Sequence, residues 1–306
     1  MTVNNLTRYE TGFNKAFAEA SRELNRSTLW SQLALVGSRI PTAKGVEDYR
    51  WLGALPQFSR WVGERKIDTL KDYHYFLENH VFQASVQIDS DDLADDTFNL
   101  YRDQVAALPL GVENQWGELV DELLKNGTSA KAFDGVAFFA SASGERKFTN
   151  ILTGTISAGS PTLDQVKADV SKVRSAMAQF KDANGKALGI VPDTFVVHPD
   201  LEILFKQLFR STADVSSNKN AGVFNPFEGM GRVVVDPGLS DVNDFYALST
   251  AGWAVGPLIR QEREAVRTEL FDDHFTNRRF IFGAEFRGNA GYGFPQLAAK
   301  VVSSVA

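Results

Sequence analysis

Asp272-Asp273-His274 sets two carboxylates beside an imidazole, the donor types of a divalent metal site. Adjacent residues on a strand or turn point in different directions, and no second His–carboxylate pair at i, i+4 lies nearby, so a polar turn between two strands is the better reading. The acidic run Asp89, Asp91, Asp92, Asp95 and Asp96 invites a calcium loop. An EF-hand starting at Asp89 needs Gly sixth and Glu twelfth, where this chain has Ala94 and Leu100. These carboxylates suit the positive end of a helix instead. Gly288, Gly291 and Gly293 follow an apolar run, yet they form neither G-x-G-x-x-G before a helix nor a P-loop. They read as a tight turn that lets Tyr292 and Phe294 pack closely. The histidines His74, His80, His198 and His274 are scattered, and no G-x-S-x-G turn accompanies them. His198-Pro199-Asp200 reads as a strand-to-helix corner with Asp200 as its cap. No poised acid, base or nucleophile can be named, so no catalytic residue, cofactor or metal is expected.

Composition narrows the classes further. The chain has 306 residues, enough for about two domains or one elaborate one. Its 43% hydrophobic and 23% charged content is ordinary for a globular protein. Cysteine is absent, which excludes disulfides and thiolate metal sites. MTVNNLTRYETGF lacks a basic segment followed by an apolar run, so no signal peptide is expected. No apolar run approaches the ~20 residues of a membrane span, so no membrane partner is expected either. A net charge of −6 argues against tight gripping of nucleic acid.

The elements follow from periodicity. Residues 1–45 read as an arm with one amphipathic patch at Leu29, Trp30, Leu33, Leu35 and Val36. Trp116, Leu119, Val120, Leu123 and Leu124 form a helical stripe that Gly127 should end. Thr162 and Gln165 make a capping-box pattern before Leu163, Val166, Val170, Val173, Met177 and Phe180, a helix ending at Asn184-Gly185. A strand at Phe195–Val197, a helix through Leu201, Leu204, Phe205 and Leu208, and a strand at Val233–Val235 come next. Ser211–Gly231 is a polar loop. FYALS, GWAVGPLI, VRTELF and RRFIFGAEF read as strands, and the fold class is α+β.

Trp51–Ile88 stands apart because it is aromatic with nothing local to shelter it. Trp51, Leu52, Leu55, Phe58, Trp61 and Val62 are broken by Gly53, Pro56 and Gly63, which argues against a helix. Phe82, Ala84, Val86 and Ile88 then alternate with Gln83, Ser85 and Gln87, the period of a strand. Two extended arms would make a two-stranded ribbon, which is marginal alone in water. Its large side chains need a surface, which we assign to a neighbouring subunit. The expected interface residues are Trp51, Leu55, Phe58, Arg60, Trp61, Glu64, Arg65, Lys66, Tyr73, Tyr75 and Phe76. Basic residues among aromatics also fit a single-strand-binding surface, but Glu64, Asp68 and Asp72 interrupt the Arg60–Lys71 patch and suit subunit ion pairing better.

WLGALPQFSRWVGERKIDTLKDYHYFLENHVFQASVQIDSDDLADDTFNLY resembles a signature stretch of the Mu-like phage major head subunits. LGIVPDTFVVHPDLE, WAVGPLIRQERE, DDHF…RRFIFGAEFRGNAGYGF and PQLAAKVV resemble the same family in order, from about Tyr49 onward. The resemblance implies a Hong-Kong-97-type capsid fold. Its parts map as an N-terminal arm (1–48), an extended E-loop (49–90), a peripheral domain with a spine helix (91–160), an axial domain (161–250) and C-terminal strands returning to the peripheral domain (251–306). It implies a structural protein, not an enzyme, that assembles with itself into hexamers and pentamers of an icosahedral head. The expected partners are portal, scaffold and decoration proteins and enclosed double-stranded DNA without sequence-specific contact. The expected location is the virion capsid, assembled in the bacterial cytoplasm. The competing reading is an enzyme with a site assembled from distant residues and the ribbon as a dimerisation arm.

Overall fold

A computed structural model of the chain describes residues 3–22, 28–52, 72–94, 98–144, 146–157, 159–182, 185–213, 224–273 and 277–303. Two sheets, held together by one long helix, organise these residues. That helix, α4, spans Phe98–Asn126 and contains Pro109. Before it come α1 (Val3–Arg22), α2 (Leu29–Leu33), β1 (Ser38–Pro41), β2 (Val46–Leu52), β3 (Asp72–Glu78), β4 (His80–Asp89) and α3 (Ser90–Ala94). After it come β5 (Ile151–Gly154), α5 (Leu163–Ala178), β6 (Thr194–Val197), α6 (Glu202–Arg210), β7 (Arg232–Val235) and β8 (Phe245–Leu248). The last three strands are β9 (Leu258–Asp273), β10 (Arg279–Tyr292) and β11 (Ala298–Ser303).

The five-stranded sheet runs β5-β11-β8-β6-β7 and is covered on both faces. Alternation decides which residue goes where. Phe195, Val197, Phe245, Ala247, Ala299 and Val301 face α5 and α6 and join Val166, Val170, Val173, Phe205 and Leu208 in one core. Val196, Tyr246, Leu248 and Ala298 face the other way and meet Leu33, Val36, Val120 and Leu124. A sheet buried on both faces is written as continuous apolar runs, which is why Thr194–Val197 and Phe245–Leu248 show no polar alternation. The arm patch expected at residues 29–36 is therefore part of this second core. The capping box is present: Thr162 Oγ1 accepts from Gln165 N–H, and Gln165 Oε1 accepts from Thr162 N–H. Helix α5 ends at Ala178, earlier than expected, and Phe180 is buried beyond it.

The four-stranded sheet runs β1-β9-β10-β4 and is half-buried. Phe280 and Phe282 on β10 and Ile88 on β4 point under α1 and α4, where they meet Phe13 and Val105. Further along, Trp116 of α4 packs on Phe286 in a tilted arrangement with ring centroids 5.1 Å apart. The Arg260 guanidinium lies 4.3 Å from the Trp116 ring and donates to both Glu113 carboxylate oxygens. Gln83, Ser85 and Gln87 face outward, as the alternation predicts.

Several expectations are corrected. His80–Asp89 is not an arm of the ribbon, because it pairs antiparallel with β10 in the four-stranded sheet. GWAVGPLI and VRTELF are not separate strands: Leu258–Asp273 is one strand of 16 residues, which the charged positions between Arg260 and Glu264 had concealed. Gly288 and Gly291 lie inside β10 rather than in a turn. A Cβ at Gly288 would sit 2.4 Å from the Gln261 carbonyl oxygen and 2.5 Å from the Trp116 ring, so close packing requires glycine there. Helix α4 ends at Asn126, just before Gly127 as expected, and the Phe139 ring packs 2.6 Å from where a Cβ of residue 127 would be, so close packing requires glycine there too. Ile151–Gly154 and Ala298–Ser303 pair with each other, parallel, in the five-stranded sheet.

Candidate assembly surface

The ribbon is β2 paired antiparallel with β3, in a register running from Val46↔Glu78 to Leu52↔Asp72. Trp51 and Tyr73 are directly opposite one another in that register. Leu55, Phe58, Arg60, Trp61, Glu64, Arg65 and Lys66 lie outside the described residues.

A polar knot fastens the ribbon root to β9. Gln261 and Asn79 are both buried. The Gln261 amide donates to Asn79 Oδ1 at 2.8 Å and to the Leu77 carbonyl at 3.2 Å. Tyr49 O–H donates back to Gln261 Oε1 at 2.7 Å. The Asn79 amide donates to the Lys44 and Gly45 carbonyls, each at 3.0 Å, and Asn289 donates to the Glu78 carbonyl. Burial, with Glu47 and Tyr75 nearby, pushes the Tyr49 phenol up to about 12, so it stays a donor at neutral pH. Thr42 O–H donates to Glu47, and that bond holds the Glu47 carboxyl below its usual value.

Period-two alternation then splits the ribbon into two faces. Tyr75 and Leu77 turn inward. The Tyr75 hydroxyl accepts from Tyr292 N–H at 3.1 Å, and Leu77 is buried against Gly291. Tyr75, expected at an interface, therefore packs on its own chain, and burial raises its phenol pKa. His74 and Phe76 turn outward. His74 Nδ1 lies 2.8 Å from Asp48, its ring stacks on Phe76, and Phe76 remains 65% exposed. A second exposed ring, Phe271, edges a shallow groove on the outer face of the four-stranded sheet, floored by Ser85 and Gly283 and flanked by Glu269 and Glu285.

The other chemistry-bearing residues are engaged locally. Asp91 pairs with Arg278 at 2.6 Å, and Asp92 accepts from Tyr101 O–H at 2.8 Å. Asp95 and Asp96 lie outside the described residues, as does His274. Asp273 accepts from Asn277 and Arg279, which hold its carboxyl below the usual range. The cap at residue 198 reverses the expectation: His198 Nδ1 accepts from Asp200 N–H, so the histidine is the cap and Asp200 is capped. Among the described residues, no group of three His, Cys, Asp or Glu side chains is placed to hold a metal.

The chain path is that of phage shell proteins. It matches the procapsid of bacteriophage JBD30 with a TM-score of 0.57 at 20% identity, over 100% of this chain and 77% of that one. It matches the capsid of cyanophage P-SCSP1u with a TM-score of 0.55 at 11% identity, over 89% and 87% of the two chains. A phage-related protein from Bordetella bronchiseptica RB50 gives 0.56 at 10% identity, over 93% and 95%. The fold is thus the Hong-Kong-97-type capsid fold, in the α+β class. Residues 82–295 match the phage capsid protein family, and the chain belongs to it. Residues 6–150 match the Mu-like prophage major head subunit gpT, so the likeness begins well before Tyr49. The major capsid protein of Escherichia phage Mu is 26% identical over 258 residues, covering 83% of this chain and 60% of the relative. The Mu-like prophage FluMu major head subunit of Haemophilus influenzae is 25% identical over 128 residues, covering 42% and 40%. The chain therefore spans less than two thirds of the length of either curated relative.

Proposed function

We propose that this chain is the major subunit of a phage head, assembling as hexamers and pentamers into an icosahedral shell around double-stranded DNA. The observation that carries the proposal is the two-faced ribbon: one face is bonded to its own sheet, while Phe76 on the other stays 65% exposed. An aromatic side chain offers ~150–250 Å² for burial, and a second copy can cover it. In this reading the ribbon of one subunit lies across its neighbour. Trp51, Leu55, Phe58, Trp61 and Tyr73 supply apolar contact, and Arg60, Glu64, Arg65 and Lys66 supply ion pairs. The groove beside Phe271 is a fitting landing place, because Glu269 at its edge complements the ribbon's basic residues, while Glu285 is held by Arg267.

The four-stranded sheet with α4 corresponds to the peripheral domain, and the five-stranded sheet with α5 and α6 to the axial domain. The work is structural rather than catalytic, with portal, scaffold and decoration proteins as partners and assembly in the host cytoplasm. A net charge of −6 suits confinement of DNA without tight binding. Electron microscopy of the purified protein tests the proposal: closed shells of uniform size are expected, whereas small discrete oligomers would favour the dimer-arm enzyme reading.

A further inference from the structure

A pair of buried carboxyl groups sits where α4 crosses the five-stranded sheet. Asp236 follows β7 and is fully buried; Asp121 on α4 is nearly so. Both converge on Gly238. Asp236 Oδ1 accepts from Gly238 N–H at 3.0 Å, and a Cβ at Gly238 would fall 2.5 Å from Asp121 Oδ2. Lys125 Nζ donates to Asp121 Oδ2 at 2.7 Å. That leaves one oxygen on each carboxyl, Asp121 Oδ1 and Asp236 Oδ2, buried and without a hydrogen-bond partner.

We propose that Asp236 keeps its proton in the folded chain and donates it to Asp121, making a pH-sensitive clasp that fastens α4 to the five-stranded sheet. A proton on Asp236 Oδ2, donated to Asp121, satisfies both orphaned oxygens at once; with neither protonated, two buried negative charges face each other. Lys125 already neutralises Asp121, so the proton belongs on Asp236. Burial foremost, then the Asp121 charge, pushes the Asp236 carboxyl up to about 7. The other charged and titratable groups around this junction are Asp241 in the following turn, Asp244 and Tyr246 at β8, and Lys300 on β11. Lys300 pairs with Asp244 at 3.0 Å and is thereby occupied.

The sign follows from linkage. A carboxyl that keeps its proton in the folded chain but loses it in the unfolded chain favours folding most in acid. That advantage is lost as pH rises from the unfolded value of 3.8 to about 7, and is gone above it. Each pH unit in that window lowers the folded-to-unfolded ratio by up to about tenfold.

The inference concerns the subunit alone and is independent of shell assembly. It is tested by urea unfolding of the full chain between pH 4.5 and pH 9, set beside Asp236→Asn. This variant keeps the shape and offers Asp121 a permanent amide donor. The wild type is expected to lose stability towards neutral pH, and the variant to show a flatter profile and to be the more stable of the two above pH 7. Parallel profiles would overturn the proposal. Infrared difference spectroscopy gives a second reading: a protonated-carboxyl stretch that titrates near neutrality in the wild type and is missing from Asp236→Asn supports the clasp. Its absence at pH 6 overturns it. Added calcium chloride that stabilises the wild type but not the variant would assign the pair to a cation and overturn it as well.

Discussion

Phe76 and Leu77 are neighbours in sequence on opposite faces of one strand, and the same truncation should do opposite things to them. Phe76 is 65% exposed and Leu77 6%. Taking ~200 Å² for a phenylalanine side chain, about 130 Å² of Phe76 remains in water in the isolated subunit. At ~25 cal/mol per Å², covering it contributes at most about 3 kcal/mol per copy. Side-chain ordering and rigid-body losses bring this to about 1–2 kcal/mol. Phe76→Ala should therefore leave the urea midpoint of the unassembled subunit nearly unchanged, within about 0.5 kcal/mol. The concentration at which particles form should rise by a factor of roughly 5–30. Leu77→Ala opens a hole against Gly291 and should cost the subunit itself ~2–5 kcal/mol. Urea titration and sedimentation of the two variants side by side provide the measurements. If Phe76→Ala destabilises the subunit as Leu77→Ala does, or assembles at wild-type concentrations, the two-faced ribbon is wrong.

Three further outcomes follow from the packing. Val170→Asp puts an unpaired charge between α5 and the five-stranded sheet and should abolish folding, seen as loss of normal helical circular dichroism in soluble protein. Gly288→Ala drives a methyl into the Gln261 carbonyl and the Trp116 ring and should cost ~1–3 kcal/mol in urea unfolding. Gln261→Leu removes the bonds that Gln261 makes with the Tyr49 hydroxyl and Asn79 Oδ1, should cost ~1–3 kcal/mol, and should speed hydrogen exchange in β2 and β3 relative to α5.

What was legible in the sequence was whatever local spacing encodes. Helix α5 is announced by its capping box and stripe, and the inward residues of β4 by strict alternation. The motif resemblance supplied the fold type. Helix α1 was missed although Tyr9, Phe13, Ala16 and Phe17 fall at i, i+4, i+7 and i+8, and all four pack beside the sheet or are buried. The apolar stripe marked only the second half of α4, which runs back to Phe98 through Pro109, where tertiary packing overrides local propensity. Strand partners were not legible. The partner of β4 is β10, about two thirds of the chain length away, and no local pattern separates that pairing from a hairpin with β2. The exposed Phe76 ring agrees with an unsheltered ribbon, but the ribbon's inward face was not readable. Tyr75 lies over Tyr292 only because glycine at 291 leaves room, a complementarity between residues more than two hundred positions apart. The Asp121–Asp236 pair was invisible for the same reason, since neither aspartate has a distinctive neighbour in sequence.

The central claim is that the outward ring of the ribbon is sheltered by another copy of the chain. A side-chain-resolution structure of the assembled particle measures this directly. Phe76 should be buried against an adjacent subunit, with the Tyr49–Gln261–Asn79 knot intact beneath it. A particle in which Phe76 stays open to solvent, or is covered by its own chain, would contradict the account.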